Sequence, residues 1–421
     1  MANVLASMTS SNRQNPITDY DLIIVGGGMV GASLACALSK QPLRIAIIEA
    51  VPYKADKQPS YDDRAIALSF GSRQIFDGLG LWEKIVEQTT AIKRIHVSDQ
   101  GKFGFTRLSS QQEKVDALGY VITARDLGKV LIHQLDQLEN LTLINPATLT
   151  DLKLGEDHAT AVIEHNGKTE TLTTSLIVAA DGGNSAVRQQ LDIRTSDHDY
   201  KQTAIIANIS PELPHQNVAY ERFTQHGPLA LLPMDDNRCA LVWTKNPQDA
   251  ERILELNDDE FLKELQPCFG QRLGRFVKTG KRLAYPLKLV RAQEQVRNRL
   301  ALIGNAAHTL HPIAGQGFNL GLRDVATLAQ IICDTFQQNG DIGTLDVLEQ
   351  YAQWRTRDHR QVIGFTNTLV SMFSNHFLPL SVARNLGLIA TDIIPPLKHA
   401  LAKHSMGLSG KLSRLARGLP L

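Results

Sequence analysis

Two stretches of the chain carry uninterrupted runs of aliphatic residues that lead into glycine-rich turns. Residues 22–25 (LIIV) are followed directly by GGGMVG at 26–31, and residues 300–303 (LALI) precede a polar stop and the glycines Gly315 and Gly317. Continuous apolar runs of this length are typical of strands that are covered on both faces. Each stretch therefore predicts a buried parallel strand, a tight turn and a helix, the second helix opening near Asn319.

A third stretch repeats this pattern in the middle of the chain. Residues 176–180 (LIVAA) run into Asp181, two glycines, and then Asn184 and Ser185, either of which can cap the start of a helix. Asp181 at the carboxyl end of a strand lies where open α/β sheets bind ligands. It could equally cap the following helix, and the two roles are compatible.

The pattern changes between residues 203 and 243. Short β-rich runs separated by turn residues predict an antiparallel sheet whose free face could form the wall of an apolar cavity. These runs are 204–209, 218–223, 229–232 and 240–243, with helical residues at 249–265 and a further strand at 283–289. Residues 64–69 are predicted to open a helix that runs toward Leu79, and helical periodicity returns at 325–370.

These elements predict an α/β protein with a Rossmann-like nucleotide-binding domain, an inserted antiparallel-sheet domain and a helical C-terminal region. A chain of 421 residues is long enough for two interleaved domains. The predicted division is a disordered extension at 1–18, a discontinuous nucleotide-binding domain at 19–100, 120–195 and 290–370, a substrate domain at 101–119 and 196–289, and a helical tail at 371–421.

The glycines after the first strand form the spacing G-x-G-x-x-G at Gly26, Gly28 and Gly31. The first glycine allows the tight turn, the second lets a pyrophosphate approach the backbone, and the third lets the helix pack closely on the strand. A second strand at 44–48 ends in Glu49, whose carboxylate can accept hydrogen bonds from both hydroxyls of an adenosine ribose. This arrangement predicts a dinucleotide site that fits FAD and NAD equally well.

The late glycine-rich element lies most of the chain away from the first. Backbone N–H groups at a helix start carry partial positive charge, so residues 315–319 can stabilise negative charge on a ligand. Two such elements indicate one long cofactor that folds back across the protein. Arg64 and Arg125 each begin a predicted helix, and either could be a solvated surface residue or a bidentate phosphate ligand.

Composition and charge narrow the function classes. The formal net charge is +1, which argues against a general nucleic-acid binder. The four cysteines are scattered, so neither a metal site nor a disulfide framework is predicted, and the chain resembles a reduced, cytoplasmic protein. The signatures of zinc metalloproteases, P-loop nucleotidases and α/β-hydrolases are missing, as is an apolar run long enough to span a membrane.

The C-terminal tail is apolar and basic, with no acidic residue after Asp392. A basic amphipathic tail can lie on an anionic membrane surface. A C-terminal helix pair packed on the core or on another subunit explains the pattern equally well. If the tail binds membrane, deletion of residues 395–421 should abolish liposome association and leave the cofactor content unchanged.

Taken in order over nearly the whole chain, these motifs resemble the three fingerprints of the class A flavoprotein aromatic hydroxylases, typified by para-hydroxybenzoate hydroxylase. The matching runs are 26–31, Asp181-Gly182, and GNAAH at 304–308 with GQGFN at 315–319. Further runs resemble the ring hydroxylases of ubiquinone biosynthesis, and among them the bacterial 2-polyprenyl-6-methoxyphenol hydroxylases: 63–68, 95–99, 221–228 and 305–319. Asn305 replaces the aspartate usual in the superfamily, a variation that the ubiquinone-pathway members share.

The resemblance implies roles for individual residues around an FAD. Expected to hold the pyrophosphate and ribose are Gly26, Gly28, Met29, Val30, Gly31 and Glu49, with Arg64 and Arg125 flanking the pyrophosphate or ribityl chain. Asp181 belongs to the motif shared between FAD and the reduced pyridine nucleotide, and Asn305 can hydrogen-bond a ribityl hydroxyl. Expected at the N1 and C2 carbonyl edge of the flavin are Gly315, Gln316, Gly317, Phe318 and Asn319.

The reaction implied is hydroxylation of a polyprenylated phenol with NADPH or NADH and O₂, through a flavin C4a-hydroperoxide. The carbonyl of Pro312 is a candidate acceptor for the substrate hydroxyl, and His311 is either a base or a structural loop histidine. Expected partners are the polyprenyl phenol, O₂, the inner face of the cell membrane and other quinone-biosynthesis proteins. Alternatives are a sister hydroxylase acting at another ring carbon, an NAD-dependent dehydrogenase, and a non-catalytic flavin-binding scaffold.

Overall fold

The computed structural model describes residues 18–53, 64–310, 315–373 and 378–421. The predicted N-terminal extension up to residue 17 lies outside these ranges, as do most of the loop after residue 53 and the two predicted catalytic residues, His311 and Pro312. Within the described residues the strands and helices are as follows.

The strands are β1 (Tyr20–Val25), β2 (Ile45–Ile48), β3 (Ala65–Ser69), β4 (Thr90–Ile92), β5 (Arg94–Asp99), β6 (Phe105–Ser109), β7 (Gly119–Thr123), β8 (Leu141–Ile144), β9 (Ala147–Leu154), β10 (Ala159–His165), β11 (Lys168–Ala179), β12 (Thr195–Pro211), β13 (Val218–Thr224), β14 (Gly227–Pro233), β15 (Cys239–Lys245), β16 (Phe276–Thr279), β17 (Leu283–Ala292), β18 (Val296–Arg297), β19 (Leu300–Leu302) and β20 (His308–Thr309). The helices are α1 (Met29–Ala37), α2 (Phe70–Gly78), α3 (Trp82–Val86), α4 (Ser110–Glu113), α5 (Ala124–Leu135), α6 (Ala186–Gln190), α7 (Pro247–Glu255), α8 (Asp258–Phe269), α9 (Gln316–Gln337), α10 (Leu345–Phe373), α11 (Leu378–Ile393) and α12 (Pro395–Ser405).

The first sheet has the order β18-β19-β11-β1-β2-β8, with β9 and β10 added beside β11. Its central strands β19, β11, β1, β2 and β8 are parallel. Alternate residues of β1 enter different clusters: Leu22 and Ile24 pack on the side of α1, α5 and α9, whereas Ile23 and Val25 pack on the side of β9 and β10. Burial of both faces is the physical reason why this strand is apolar at every position.

The second sheet has the order β20-β17-β12-β15-β14-β13-β5-β6, with β16 beside β12. Along β14, Leu229 and Leu231 pack against α7 and α8, whereas Ala230 and Leu232 face a cavity. The predicted antiparallel sheet with one free face is therefore confirmed. Strand β5 joins this sheet by pairing in parallel with β13, so residues 94–99, assigned by the sequence prediction to the nucleotide-binding domain, lie in the second sheet.

One secondary-structure prediction was wrong. Residues 65–69 form β3, which pairs with β7 in a small sheet of order β3-β7-β4, and helix α2 begins only at Phe70. The Ser69 hydroxyl accepts a hydrogen bond from the Ser72 N–H and caps that helix. Pairing with β7 outweighs the helical pattern of this short segment.

The C-terminal region packs on the core. The N–H of Gly71 in α2 donates to the Met406 carbonyl (2.8 Å), and the indole N–H of Trp354 donates to the Lys411 carbonyl (2.9 Å). The Leu415 side chain is buried beside α2. The structure thus shows packing on the core, one of the two alternatives for the tail. None of the described helices combines the length and apolarity needed to cross a membrane.

Candidate cofactor and active site

The sequence motifs meet because four parallel strands end at one edge of the first sheet. Val25 at the end of β1 lies beside Ile48 of β2 and Ala179 of β11, and Ala179 lies beside Leu302 of β19. The residues that follow these strand ends, Gly26, Glu49, Asp181 and Gly304, therefore share one edge. This is the edge at which open α/β sheets bind their ligands.

The first turn has room for glycine only. A side-chain carbon on Gly31 would lie 2.0 Å from the Gly26 carbonyl oxygen, and one on Gly26 would lie 2.6 Å from the Ala180 carbonyl oxygen. Gly26 also has a φ of +100°, a conformation that favours glycine. Helix α1 begins at Met29 directly after Gly28, so Met29 and Val30 form its first turn, and Val30 packs against Gly304.

Glu49 is a buried carboxylate that closes this turn. Its Oε2 accepts a hydrogen bond from the Gly27 N–H (2.7 Å), and its Oε1 accepts one from the Val51 N–H (2.8 Å). The Tyr53 hydroxyl donates to the Gly27 carbonyl (2.8 Å). Tyr53 was not predicted, since only the folded chain brings it over the glycine turn.

Asp181 contacts the helix that follows it and keeps one oxygen without a partner among the described residues. Its Oδ2 accepts a hydrogen bond from the Val187 N–H (3.1 Å), whereas its Oδ1 is buried and unpaired. Burial raises the pKa of Asp181 above its usual value, against the hydrogen bonds from Ser185 and Val187. Ser185, one of the two predicted candidates, is the N-cap of α6. The remaining oxygen fits a ligand hydroxyl.

The late glycine-rich element is held in place by Asn319. Its Nδ2 donates to the carbonyls of Ala67 (2.7 Å) and Gly315 (2.6 Å), and its Oδ1 accepts from the Ser69 N–H (2.8 Å). The Asn319 side chain thus fixes the start of α9 against β3. Gly317 has open space where a side chain would be.

The other residues of this element take different positions. Gln316 is buried, and Phe318 stacks on Phe76 with ring centroids 6.5 Å apart. Gly315 has a φ of +61° and lies against Ala67. Asn305 is exposed and lines the cavity beside this turn.

The two predicted phosphate ligands are adjacent. The Ala124 N–H donates to the Arg64 carbonyl (2.8 Å), so Arg64 and Arg125 sit where β3 and α5 meet. Arg64 lines the cavity with its guanidinium 5.5 Å from the Tyr285 ring, and Arg125 is exposed. Their role toward a pyrophosphate stays a prediction.

Behind the late element lies a buried network that the sequence reasoning missed. The Asp324 carboxylate accepts hydrogen bonds from His308 Nε2, Arg355 Nε and His359 Nε2, each at 2.7 Å, and from the Gly304 N–H at 3.2 Å. Burial by itself would raise the pKa of Asp324, but attraction to His359, His308 and Arg355 holds it well below its usual range. The network ties the 304–308 turn to α9 and α10.

Three members of this network, His308, Asp324 and His359, have ligand atoms within 4.8 Å of one another, a spacing that a metal ion would also require. The guanidinium of Arg355 already occupies the same carboxylate and would repel a cation. We therefore interpret the cluster as an ion-pair network.

A cavity of about 680 Å³ joins the cofactor edge to the second sheet. It reaches from Met29, Asn305 and Gly317 to the free face of the second sheet, and helix α11 covers it. The guanidinium of Arg384 on α11 donates to the buried Asp99 carboxylate at 2.6 and 2.9 Å, and the Thr106 hydroxyl donates to the Leu388 carbonyl at 2.6 Å. These hydrogen bonds hold α11 against β5 and β6.

The residues present fit an FAD. Two glycines leave no room for side chains, an acidic group closes the first turn, Asp181 keeps a buried oxygen unpaired, and a helix start with open space at Gly317 faces the same cavity. A long cofactor could follow the sheet edge from the first turn to the last.

The comparisons with known proteins agree with this geometry. The family model described as FAD binding domain matches residues 19–366. The ubiquinone hydroxylase UbiL of Rhodospirillum rubrum is 36% identical over 404 residues, which cover 95% of this chain and 93% of the relative. The 3-demethoxyubiquinol 3-hydroxylase of Escherichia coli is 32% identical over 391 residues, covering 92% and 98%.

The solved structures show the same fold at low sequence identity. The p-nitrophenol 4-monooxygenase PnpA from Pseudomonas putida DLL-E4 superposes with a TM-score of 0.77 at 16% identity, over 93% of this chain and 98% of that one. The resemblance noted in the sequence is therefore confirmed, and FAD rather than NAD is the resident cofactor. The chain belongs to the FAD-binding domain family and is an FAD-dependent aromatic-ring monooxygenase of the class A flavoprotein hydroxylases.

Proposed function

We propose that this enzyme hydroxylates the ring of a polyprenylated phenol, 2-polyprenyl-6-methoxyphenol, in ubiquinone biosynthesis. The observation that carries the proposal is the large cavity, which opens from the cofactor edge and is lined mainly by aliphatic side chains. A small polar phenol would leave most of that wall uncovered, whereas a prenyl chain would bury it favourably. The names of the relatives, ubiquinone hydroxylases, support the same substrate class.

The cofactor supplies the chemistry: reduced by NADPH or NADH, as is typical of the family, FAD activates O₂ for transfer of one oxygen atom to the ring. The protein holds, orients and shields the reactants. Gly26, Gly28 and Gly31 would admit the pyrophosphate, Glu49 and Asp181 would bind ribose or ribityl hydroxyls, and Asn305 would bind a ribityl hydroxyl. The start of α9 would direct N–H groups at the N1 and C2 carbonyl edge of the flavin, where negative charge develops on reduction.

The cavity wall contributes by excluding water. The space beside the cofactor edge is bordered by aliphatic side chains of the second sheet, namely Ile95, Val97, Ala230 and Leu232. Helix α11 covers the same space. A site without water protects reactive intermediates of the reaction from unproductive breakdown. The Pro312 carbonyl stays our predicted acceptor for the substrate hydroxyl, and His311 stays a candidate base or structural histidine.

Quinone analysis of a cell that lacks this gene, with and without the intact chain restored, tests the proposal. Accumulated 2-polyprenyl-6-methoxyphenol that disappears on complementation would establish both substrate and ring position. Accumulation of a later, partly methylated quinol would instead assign a sister step, which the 32% identical 3-demethoxyubiquinol 3-hydroxylase makes the second candidate. Normal quinone content would contradict the pathway. A bound flavin that neither NADPH nor NADH reduces would favour a non-catalytic scaffold.

We further propose that the outer face of α11 and α12 contacts an anionic membrane, from which a prenylated substrate would enter. Val382, Leu386 and Ile393 are exposed and lie on one face of α11, and Leu397 is exposed near the start of α12. The opposite face of α11, at Gly387 and Leu388, lines the cavity. A helix with one apolar face on the substrate space and another on solvent is suited to a lipid interface.

The matched test uses surface substitutions, since the tail packs on the core. The double variant Leu386→Ser/Ile393→Ser is expected to lose flotation with liposomes containing anionic lipid while keeping its FAD content. The control Val277→Ser changes an equally exposed side chain on β16, far from α11 in the sequence. Unchanged flotation of the double variant would contradict membrane contact at this face.

A further inference from the structure

Glu221 is a carboxylic acid in an otherwise aliphatic part of the cavity wall. It lies at the middle of β13 and faces the cavity together with Ala219 and Phe223. Its register partners on the two neighbouring strands are Val97 of β5 and Ala230 of β14, both also in the wall. The carboxyl group is therefore bordered on each side by apolar side chains.

The Oε1 atom of Glu221 is buried and has no hydrogen-bond partner among the described residues. Most buried polar atoms in proteins have a partner, because an unpaired one lowers the stability of the folded state. Three other polar side chains of the wall are engaged: Thr106 donates to the Leu388 carbonyl, Thr391 donates to the Gly387 carbonyl, and Arg384 binds Asp99. The Thr309 hydroxyl, like Glu221 Oε1, is buried without a partner among the described residues, but it carries no charge and is no base. Glu221 has an unused oxygen in a space made for an apolar phenol.

The charged groups around Glu221 do not neutralise it. On its own strand, Arg222 alternates to the opposite face of the sheet. Strand β14 has no titratable side chain. On β5, Arg94 donates a hydrogen bond to Gln216, and His96 packs against two aromatic rings, Phe105 and Tyr220. Asp99 at the end of β5 is paired with Arg384 of α11. Arg64, which also lines the cavity, lies over the Tyr285 ring.

We propose that Glu221, in place of the loop residues Pro312 and His311 suggested by the sequence, is a catalytic residue that hydrogen-bonds the phenolic hydroxyl of the substrate and accepts its proton during ring hydroxylation. This inference rests on the proposed function, because it requires a phenol in the cavity. The phenol is the one polar end of a prenylated substrate, and Glu221 offers it an acceptor in the wall of the same space that borders Asn305 and Gly317.

The proton transfer itself needs no further reactant. The phenolic O–H bond breaks, its electron pair stays on the oxygen, and the proton forms an O–H bond with the Glu221 carboxylate. The phenolate raises electron density at the ring carbons ortho and para to it, which favours oxygen transfer from the flavin chemistry of the family. The transferred oxygen atom comes from O₂, whose O–O bond breaks and whose second atom leaves as water, with two electrons from NADPH or NADH. After the new C–O bond has formed, the ring carbon releases its own hydrogen as a proton, which is used in forming that water, and the ring becomes aromatic again. Glu221 then returns its proton to the phenolate oxygen.

Burial of Glu221 makes proton transfer from the phenol to this carboxylate easier. Burial raises the pKa of Glu221 to about 7, and no charged group among the described residues contributes to the shift. The ordinary pKa of a phenol is about 10. It therefore exceeds the pKa of Glu221 by about three units, whereas it would exceed that of an ordinary glutamate by more than five. Because one negative charge is present before and after the transfer, the cost of burying it is nearly the same in both states.

The test compares wild-type enzyme with Glu221→Gln and Glu221→Asp, with 2-geranyl-6-methoxyphenol as the phenol and Glu212→Gln as a control. Glu212 is an exposed carboxylate directly after β12, paired with Arg275. FAD content, NADPH or NADH consumption and hydroxylated product are measured from pH 5.5 to pH 9. A positioned general base typically contributes 10²–10⁴-fold.

We expect Glu221→Gln to keep its FAD and its reduction by NADPH or NADH, and to lose at least about 100-fold in product formation. In the wild type, product formation should rise with pH through about 7, since the carboxylate is the active form. This rise should vanish in Glu221→Gln, persist in the weaker Glu221→Asp, and be unchanged in Glu212→Gln.

Each outcome decides between the two proposals. A Glu221→Gln enzyme with wild-type product formation and pH profile would overturn the role of Glu221 and leave the proposed function standing. Equal losses in Glu221→Gln and Glu221→Asp, with the pH profile unchanged, would reduce Glu221 to a packing residue. A wild-type enzyme loaded with FAD that hydroxylates neither this phenol nor its demethoxyquinol counterpart would overturn the proposed function, and the Glu221 proposal with it.

Discussion

At the scale of single residues, two glycines of the cofactor edge differ sharply in the space around them. A side-chain carbon on Gly31 would lie 2.0 Å from the Gly26 carbonyl oxygen, whereas one on Gly317 would meet nothing within 4 Å. Gly31→Ala is expected to disrupt the strand–helix turn, with a loss of FAD and a marked drop in melting temperature. Gly317→Ala should keep the melting temperature of the apoprotein and weaken the binding of FAD, because only a ligand would contact the added methyl group.

Unfolding experiments on the apoprotein and flavin titration of both glycine variants check this difference. If Gly317→Ala binds FAD as tightly as the wild type, the backbone at this turn does not approach the cofactor. If Gly31→Ala is as stable as the wild type, the turn adopts a wider geometry than the one described.

The ionisation of Glu221 also predicts how stability changes with pH. The pKa of this carboxyl is raised from 4.5 to about 7 in the folded protein. Between these values the folded state holds a proton that the unfolded state has released, so this group lowers stability as pH rises from 4.5 to 7. Glu221→Gln removes the effect, and above pH 7 it should be more stable than the wild type by up to ~3 kcal/mol.

Unfolding free energies of Glu221→Gln and the wild type at several pH values, without phenol, measure this difference. A difference that does not grow between pH 4.5 and pH 7 would mean that the carboxyl is solvated or paired. The experiment needs no turnover, so it tests the buried acid independently of the reaction.

At the scale of elements, the strands and helices that the sequence predicted well are those buried on both faces or strongly periodic. The run at 22–25 is apolar at every position, as a strand covered on both faces requires, and the run at 229–232 is a short β-rich segment between turn residues that forms part of β14. Residues 65–69 could not be predicted from local pattern, because their strand form depends on β7, which lies about fifty residues later in the chain. A short segment takes the structure of its partner when its own preference is weak.

Helices α9 and α10 are joined by a junction that should be sensitive to acid. Burial lowers the pKa of His359 from 6.5 to about 4, against the attraction of Asp324. Between pH 6.5 and pH 4 the unfolded chain binds a proton that the folded protein does not, so stability falls as pH decreases through this window. His359→Gln, whose amide can still donate to Asp324, should remove up to ~3 kcal/mol of this pH dependence.

The measurement is the unfolding free energy from pH 7 to pH 4, with His133→Gln as the control because His133 is exposed on α5. A wild-type slope in His359→Gln would show that this histidine is protonated in the folded protein. The slopes of the control and the wild type should coincide.

At the scale of the whole molecule, the sequence predicted which motifs share a site because parallel strands bring their carboxyl ends to one edge. This rule alone is enough to place four residues at one edge: Gly26, Glu49, Asp181 and Gly304. The Asp324 network and the position of Glu221 could not be predicted in the same way. Both depend on contacts across helices or sheets, and a buried acid has no local sequence pattern that distinguishes it from a solvated one.

The C-terminal tail supplies the last prediction. The sequence suggested that deleting residues 395–421 would leave the cofactor content unchanged, but several side chains of this segment are part of the core. Ala402, Met406, Leu415 and Ala416 are buried, and the Arg414 N–H donates to Gln330 of α9 at 2.8 Å. Removing buried side chains of this kind costs about 2–5 kcal/mol for each large one, so the truncated chain should unfold at lower temperature and lose FAD.

The truncation and the surface variant Leu386→Ser/Ile393→Ser therefore separate two roles of one region. The truncation should lose FAD because α2, which packs on the tail, also carries Ser72, whose hydroxyl donates to the Asn319 side chain at 2.6 Å. The surface variant leaves that chain of contacts intact and should lose only liposome binding. Normal FAD content and melting temperature in the truncated protein would show that the tail contributes nothing to the cofactor edge, and a membrane role would then be its main function.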